Sequence, residues 1–306
     1  MMEEVQSNTL EKNEVVDHNK ILDEIIDKLK NNNFNIYFYV PPMNSPSGGV
    51  GVIFKQIQTL QKQGYKPIVI YEPRLDTKAS YQESQKRSKK IELYEKFNPS
   101  WIGADAKNVK IIPLGEGDIK FSDNTTHKCE KLVIDAQDFV IIPEGFPNVM
   151  EKFAQIPCKK IVFAQSWYYV LNSLSVNQNW QMWGIKDVIS ISDGITEYLN
   201  IIMPGLNIKQ YSQSIDRELF KPRHYAEKFP KVAFMPGRSQ DAIIKTFNVI
   251  KSFYCFYPQY KWIRFDELKG LSKEEFAQRL GESAIALYTD EIAGFGTMPL
   301  EAMATG

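Results

Sequence analysis

The sequence predicts an α/β fold of the doubly wound kind, and three observations carry that expectation. Apolar β-rich runs alternate with helical patterns along most of the chain, the rhythm a parallel sheet flanked by helices requires. The opening unit reads strand, glycine segment, helix, strand, a βαβ arrangement whose crossover is almost always right-handed. A second βα series begins near Val232, so two such units are expected, the second incomplete. With 306 residues, 43% of them hydrophobic, the chain has material for two cores.

Residues 1–19 are polar and without periodicity, whereas Ile21, Leu22, Ile25, Ile26 and Leu29 share one face of a short amphipathic helix. The expected divisions are a polar tail and short helix over 1–33, a first domain over 34–205 and a second over 206–306. A strand over 35–40 leads into a Pro/Ser/Gly loop and a helical pattern over 52–63, which Gly64 stops; a strand over 67–71 follows. The stretch 74–90, rich in Lys, Ser, Gln and Asp, is either a surface loop or an exposed helix. Its Lys86, Arg87, Lys89 and Lys90 read as a solvated cluster. Further apolar runs at 109–113, 132–134, 139–142, 160–163 and 188–191 continue the alternation.

The second series reads strand 231–235, a Pro236-Gly237-Arg238 turn, a helix to about Phe256, strand 260–265, helix 273–281, strand 284–288, a glycine turn and a helix opening near Pro299. Its three strands fall short of a full doubly wound domain, so the chain is expected to be a fragment or a truncated gene product.

Composition narrows the function classes. Lys plus Arg number 37 and Asp plus Glu number 37, so no net charge steers the molecule toward nucleic acid or an anionic surface. Cys129, Cys158 and Cys255 lie far apart, which is neither a disulfide framework nor zinc-ligand spacing. His18, His127 and His224 are isolated and no Asp-x-Asp pair occurs, so no metal is expected. A cytoplasmic setting is expected, with membrane contact at most peripheral, because no apolar run approaches a spanning length.

Two segments carry chemistry. Gly48-Gly49-Val50-Gly51 stands between a strand and a helix, where backbone amides can approach an anion. It can be read as a dinucleotide fingerprint, with Glu72 as the ribose acid, or as a loop shaped only by packing; seven residues separate it from the strand, where the fingerprint wants a tighter turn. The stronger segment is Asp290-Glu291-Ile292-Ala293-Gly294-Phe295-Gly296-Thr297-Met298-Pro299-Leu300-Glu301-Ala302-Met303-Ala304-Thr305-Gly306. A strand there delivers a Gly-Phe-Gly turn at a helix start, with Pro299 suited to the first helical turn. A diphosphate is expected at that turn, and Glu301 is close enough to accept hydrogen bonds from ribose hydroxyls.

This second segment resembles the signature of retaining GT-B glycosyltransferases of the family 4 type: Glu, Gly-Phe-Gly, then Leu-Glu-Ala-Met-Ala with a small residue and Gly. Weaker likenesses follow in the same order. Gly48-Gly49-Val50-Gly51 is similar to the family's N-terminal glycine loop, and Asp187-Val188-Ile189-Ser190-Ile191-Ser192 to the strand before the interdomain region. Ser214-Ile215-Asp216 with Phe220-Lys221-Pro222 is similar to the start of its second domain, and Gly237-Arg238 to its Gly-Arg turn. The resemblance runs from about residue 36 to Gly306. It implies a GT-B fold, two Rossmann-like doubly wound domains facing a cleft, and sugar transfer with retention from a UDP- or GDP-sugar to a glycan, lipid-linked or other acceptor. No metal or cofactor is implied.

Under this resemblance Arg238 grips the donor diphosphate, and donor contacts fall to Gly49, Gly51, Gly237, Lys245, Gly294, Phe295, Gly296, Thr297 and Glu301. Three positions depart from the pattern: Ala293 stands where the first acid of the Glu pair belongs, Ile243 where a lysine follows the Gly-Arg turn, and Gln165-Ser166 where a histidine is common. Glu291 and Gln165 therefore join Arg238 as candidate catalytic residues, with Lys245 a neighbouring cation. Glu144, Ser166 and Trp167 are the acceptor-side candidates. Trp167, Tyr168, Tyr169, Trp180 and Trp183 serve either to stack on sugars or to pack the fold. A degenerate, non-catalytic nucleotide-sugar-binding protein and an NAD-type oxidoreductase remain as alternatives.

Overall fold

The apolar runs of the first sheet's central strands are buried on both faces, as a parallel sheet flanked by helices demands. The computed structural model describes residues 34–306 apart from 107, 130, 131, 238 and 291–295; the expected tail and helix over 1–33 lie outside the described residues. In chain order, β1 (Ile36–Tyr39) leads to α1 (Gly48–Lys62), β2 (Ile68–Tyr71), β3 (Arg74–Leu75), α2 (Thr77–Arg87), β4 (Tyr94–Glu95) and β5 (Lys110–Pro113). A hairpin of β6 (Asp118–Lys120) and β7 (Thr126–Lys128) precedes β8 (Phe139–Pro143), α3 (Pro147–Ala154), β9 (Lys159–Ala164) and α4 (Trp167–Asn172). Then come β10 (Asp187–Ser190), α5 (Asp193–Ile202) and β11 (Asn207–Gln210).

The main sheet has seven strands in the order β11-β10-β9-β8-β1-β2-β5, every neighbouring pair parallel. Chain direction across the sheet reverses between β1 and β8, where Phe38 pairs with Ile141. In such sheets ligands bind at the carboxyl ends of the strands flanking that reversal. Val40, Val69, Ile70, Val140, Ile142, Val162 and Ala164 are wholly buried. On α1, Val50, Ile53, Phe54 and Ile57 face this core, each large side chain contributing about 2 kcal/mol by burial.

The second sheet is built from β12 (Phe229–Met235), α6 (Gln240–Phe256), β13 (Arg264–Glu267), α7 (Lys273–Gly281), β14 (Ser283–Tyr288) and α8 (Thr297–Ala304). Its order is β13-β12-β14, again all parallel. A small core of Phe220, Ala233, Leu268, Ala277, Leu280 and Met298 holds it. Phe220 comes from the connecting segment after β11, where Asp216 accepts from the Glu218 and Leu219 amides and fixes the turn. Arg279 and Lys231 converge on Asp266 and hold its carboxyl below the ordinary value. Phe34–Gly306 forms one compact unit.

Several expectations change. α1 begins at Gly48 rather than Val52, so the glycines are its first turn and not a loop before it. Within the 74–90 stretch, residues 77–87 form a helix, which the Asp76 carboxylate starts by accepting from the Ala79 amide. The apolar run 132–134 forms no strand; Leu132 and Ile134 pack on the core from an irregular segment. The strand expected over 260–265 is shifted to Arg264–Glu267, since Pro258 starts a 3-10 turn ending at Tyr260. β11 was not foreseen: it is a polar edge strand without apolar patterning, and it carries the first sheet to Gln210, past the division at 205/206.

Candidate functional site

Helix starts show where backbone donors are left over. Among the described helices, α2, α5, α6 and α7 satisfy their own amino ends: Asp76, Ser192, Ser239 and Ser272 each accept from a backbone amide in the first turn. At α7 Glu275 closes the reciprocal capping box. By contrast α1, α3, α4 and α8 have no side-chain cap and no acidic residue in the first turn. α3 and α4 begin directly beyond the carboxyl ends of β8 and β9, α1 follows the Pro/Ser segment beyond β1, and α8 follows β14. Unsatisfied amides and positive helix-end partial charge therefore gather at one edge of the sheets.

Two of these helix ends meet. A Cβ placed on Gly48, the first residue of α1, would lie 3.9 Å from the Thr297 hydroxyl oxygen, at the first residue of α8. One residue on, a Cβ at Gly49 would lie 3.5 Å from the Gln165 side-chain oxygen, so the absent side chain lets Gln165 come up to the start of α1. Gly51 faces open space, with no heavy atom within 4 Å of a Cβ there. Gly48, Gly49, Gln165 and Thr297 thus form one continuous rim, with a gap above Gly51.

The second sheet builds its side of the rim by close backbone approach. Gly237 follows β12, and a Cβ there would overlap that of Ala242 outright and lie 3.4 Å from the Asp290 Cα. The turn after β12 is thereby pressed against the turn after β14. The Thr246 and Thr289 hydroxyls hydrogen-bond beneath this contact. Gly296 has φ +73° at the start of α8, and a Cβ there would sit 2.6 Å from the Tyr288 hydroxyl. Glycine is required on both counts. Arg238, Glu291, Gly294 and Phe295, four of the sequence candidates, lie outside the described residues.

Glu301 stands one turn into α8, half-buried. Burial pushes its carboxyl above the ordinary value, and the positive charges of Lys55 and Lys273 pull it partway back. Lys55 comes from α1 and Lys273 from the start of α7. Sequence reading missed both lysines and Tyr288. The signal for Lys55 is its spacing: once α1 starts at Gly48, residues 48, 51 and 55 share one helix face.

On the first sheet, Glu144 and Ser166 are buried at the ends of β8 and β9. The Ser173 hydroxyl donates to the Glu144 carbonyl at 3.3 Å and to the Tyr169 carbonyl at 2.6 Å. Trp167 is 43% exposed and packs edge-to-face on Tyr168 and Tyr198. Trp180 and Trp183 are buried core residues. Lys245 lines an outer groove of α6 with Asn248, Val249, Ser252, Phe253, Phe256 and Tyr257. Glu72, the ribose acid of a dinucleotide reading, lies 2.5 Å from the Lys152 ammonium. Among the described residues, no three His, Cys, Asp or Glu side chains gather as a metal site, and no helix is long and apolar enough to cross a membrane.

Comparison with known proteins gives a partial likeness. Over 190 residues the chain is 26% identical to an α-1,6-glucosyltransferase of Actinobacillus pleuropneumoniae serotype 7 (strain AP76), an alignment taking in 58% of this chain and 53% of that protein. The chain thus spans about half the length of the curated relative it matches. The crystal structure of a glycosyltransferase from Rickettsia africae ESF-5 is similar at a TM-score of 0.49 and 14% identity, covering 89% of this chain and 77% of that one. No protein-family model matches the chain.

Proposed function

We propose that this chain carries the nucleotide-sugar site of a retaining, metal-independent glycosyltransferase of GT-B type, taking a UDP- or GDP-sugar as donor and a glycan or lipid-linked acceptor. One observation carries the reading: the uncapped amino ends of α1 and α8 meet at Gly48 and Thr297. Two helix ends facing one gap suit a ligand with two adjacent negative charges, which a diphosphate supplies. The partial identity to a glucosyltransferase supports sugar transfer.

When the sugar–phosphate bond breaks, the sugar becomes cationic and negative charge appears on the leaving diphosphate, so the barrier is lowered by donors already aimed at that oxygen. The first-turn amides of α1 and α8 are such donors, and the guanidinium of Arg238, next to Gly237, is assigned the charge-assisted contact. Loss of one preorganised donor of this kind typically costs about 3 kcal/mol in the barrier. The acceptor hydroxyl bonds to the anomeric carbon on the face the phosphate leaves, and its proton passes to the departing phosphate oxygen. Gln165 stands beside Gly49 to orient the sugar, while Glu144, Ser166 and Trp167 are assigned to the acceptor. Trp167 is the one of these with an exposed ring on which a pyranose could stack.

In the dinucleotide alternative Glu72 would have to share or exchange its Lys152 partner to take ribose hydroxyls. The test is thermal protection and calorimetric titration with UDP, GDP, UDP-glucose, GDP-mannose and NAD, with nucleoside diphosphate release followed in parallel. Protection by a nucleoside diphosphate and its release from a sugar donor are expected. Binding without release would leave a sugar-nucleotide-binding protein, and protection by NAD alone would overturn the reading.

A further inference from the structure

Helix α1 starts in a way its own residues do not secure. Three of its first four residues, Gly48, Gly49 and Gly51, are glycine, the poorest helix former after proline. The Ser47 side chain makes no cap bond, and the first helical bond runs from the Gly51 amide to the Ser47 carbonyl at 2.9 Å. A helix begun like this is disposed to fray, yet its first turn places Gly48 and Gly49 on the rim with Thr297 and Gln165.

The restraint comes from a segment remote in the chain. Residues 41–47 join β1 to α1, and residues 96–101 grip them. Trp101, in the 3-10 helix Pro99–Ala106, donates its indole N–H to the Met43 carbonyl at 2.8 Å. The Asn44 side chain spans two backbone positions: its amide donates to the Lys96 carbonyl at 3.1 Å, and its oxygen accepts from the Asn98 amide at 2.8 Å. One side chain thus supplies the donor and acceptor that a neighbouring strand would offer. Among the described residues, the backbone of 41–47 otherwise bonds only within itself, Met43 to Pro41, and to Gly51. The gripping segment is fixed in its turn. Phe97 is buried, with its ring 5.3 Å from that of Tyr71, and the Lys96 ammonium bonds Asp123 and Thr125 between β6 and β7.

We propose that Trp101 and Asn44 are positioning residues for the nucleotide site: by gripping the segment ahead of α1 they substitute for the missing cap and keep the first turn of α1 helical, so that its amides stand ordered before a ligand arrives. A turn that is helical only part of the time binds through that fraction, and affinity falls in proportion to the population lost. The inference rests on the nucleotide-sugar reading only for the identity of the ligand; the clamp is a property of the ligand-free chain.

The experiment uses the full chain, labelled with nitrogen-15 in glycine and followed by amide hydrogen exchange. Gly51 reports the first turn of α1, and Gly281, in the last turn of α7, reports opening elsewhere; each signal is assigned by its loss in the matching alanine variant. Trp101→Phe keeps a ring and removes the N–H, while Asn44→Ala, at an exposed position, removes both side-chain bonds. Each is expected to lower protection at Gly51 about five- to tenfold, the worth of an ordinary hydrogen bond, to leave Gly281 as it is, and to weaken UDP or GDP binding by a similar factor. An equal loss at Gly51 and Gly281 marks a purely structural role and overturns the inference. So does protection at Gly51 that neither variant lowers, or an affinity that holds while that protection falls. A loss confined to Gly51, in a chain whose parent form binds neither UDP nor GDP, sustains the clamp and refutes the nucleotide reading instead.

Discussion

The contact that brings the two turns of the second sheet together can be broken and mended at a single pair of atoms. In Gly237→Ala the new methyl group collides with that of Ala242, which is wholly buried. It cannot move the other way, because the Asp290 backbone stands 3.4 Å off. Overpacking of this kind costs about 1–3 kcal/mol, and relief requires pushing α6 away from β14. For a chain of this size that corresponds to a fall in Tm of about 2–4 °C per kcal/mol. Ala242→Gly alone loses about 0.8 kcal/mol of methyl burial and up to about 1 kcal/mol of helix propensity.

In the double variant the methyl on residue 237 takes the space vacated at residue 242, leaving the Ala242 Cα position 3.5 Å away, an ordinary contact. The two changes are then strongly non-additive, with a coupling of about 2 kcal/mol in favour of the pair. Thermal unfolding of the four proteins measures this cycle, and UDP or GDP affinity measured alongside should fall in Gly237→Ala and recover in the double variant. Additive destabilisation would refute the packing argument. Recovered stability without recovered affinity would refute the claim that this contact shapes the nucleotide site.

Two further outcomes follow from the rim. Gly51→Leu directs a side chain from the half-buried first turn of α1 into open space, so Tm should hold or rise slightly, since leucine favours the helix, while nucleotide affinity drops more than tenfold by steric filling of the gap above Gly51; calorimetry with UDP checks it, and unchanged affinity would count against the rim. Glu301→Gln should weaken binding yet stabilise the chain at pH 8. The folded-state value of Glu301 is raised, so the native state holds its proton more tightly than the unfolded state, and stability falls as pH climbs from the ordinary glutamate value through the raised one. The Tm advantage of Glu301→Gln should therefore be greatest above that window and vanish below it; an advantage that grows toward acid pH would refute the sign.

Much of the fold was legible in the residues. The runs that became β1, β2, β8, β9, β10 and β12 are apolar because both faces of a central parallel strand are covered, so burial leaves its mark on composition. β11 and the 3-10 turn at Pro258 left no such mark, since an exposed edge strand and a local turn bury little. At the site, glycine types and order pointed to Gly49, Gly51, Gly237, Gly296 and Thr297, and the structure brings Gly48, Gly49, Gln165 and Thr297 to one rim.

By itself the sequence determined which backbone could come close to something: a glycine at Gly237 or Gly296 is a missing Cβ, and that is written in the residue. It also determined that α8 follows a glycine, which has no side chain to cap a helix with. Only the tertiary structure decided that Ser47 leaves α1 uncapped, that the starts of α1 and α8 face each other, that Lys55 reaches Ser214, and that Glu72 is engaged by Lys152. Residues far apart in the chain carry no local pattern of their pairing, since charge and hydrogen bonding act through space while helix and strand periodicity record only which face of an element is covered.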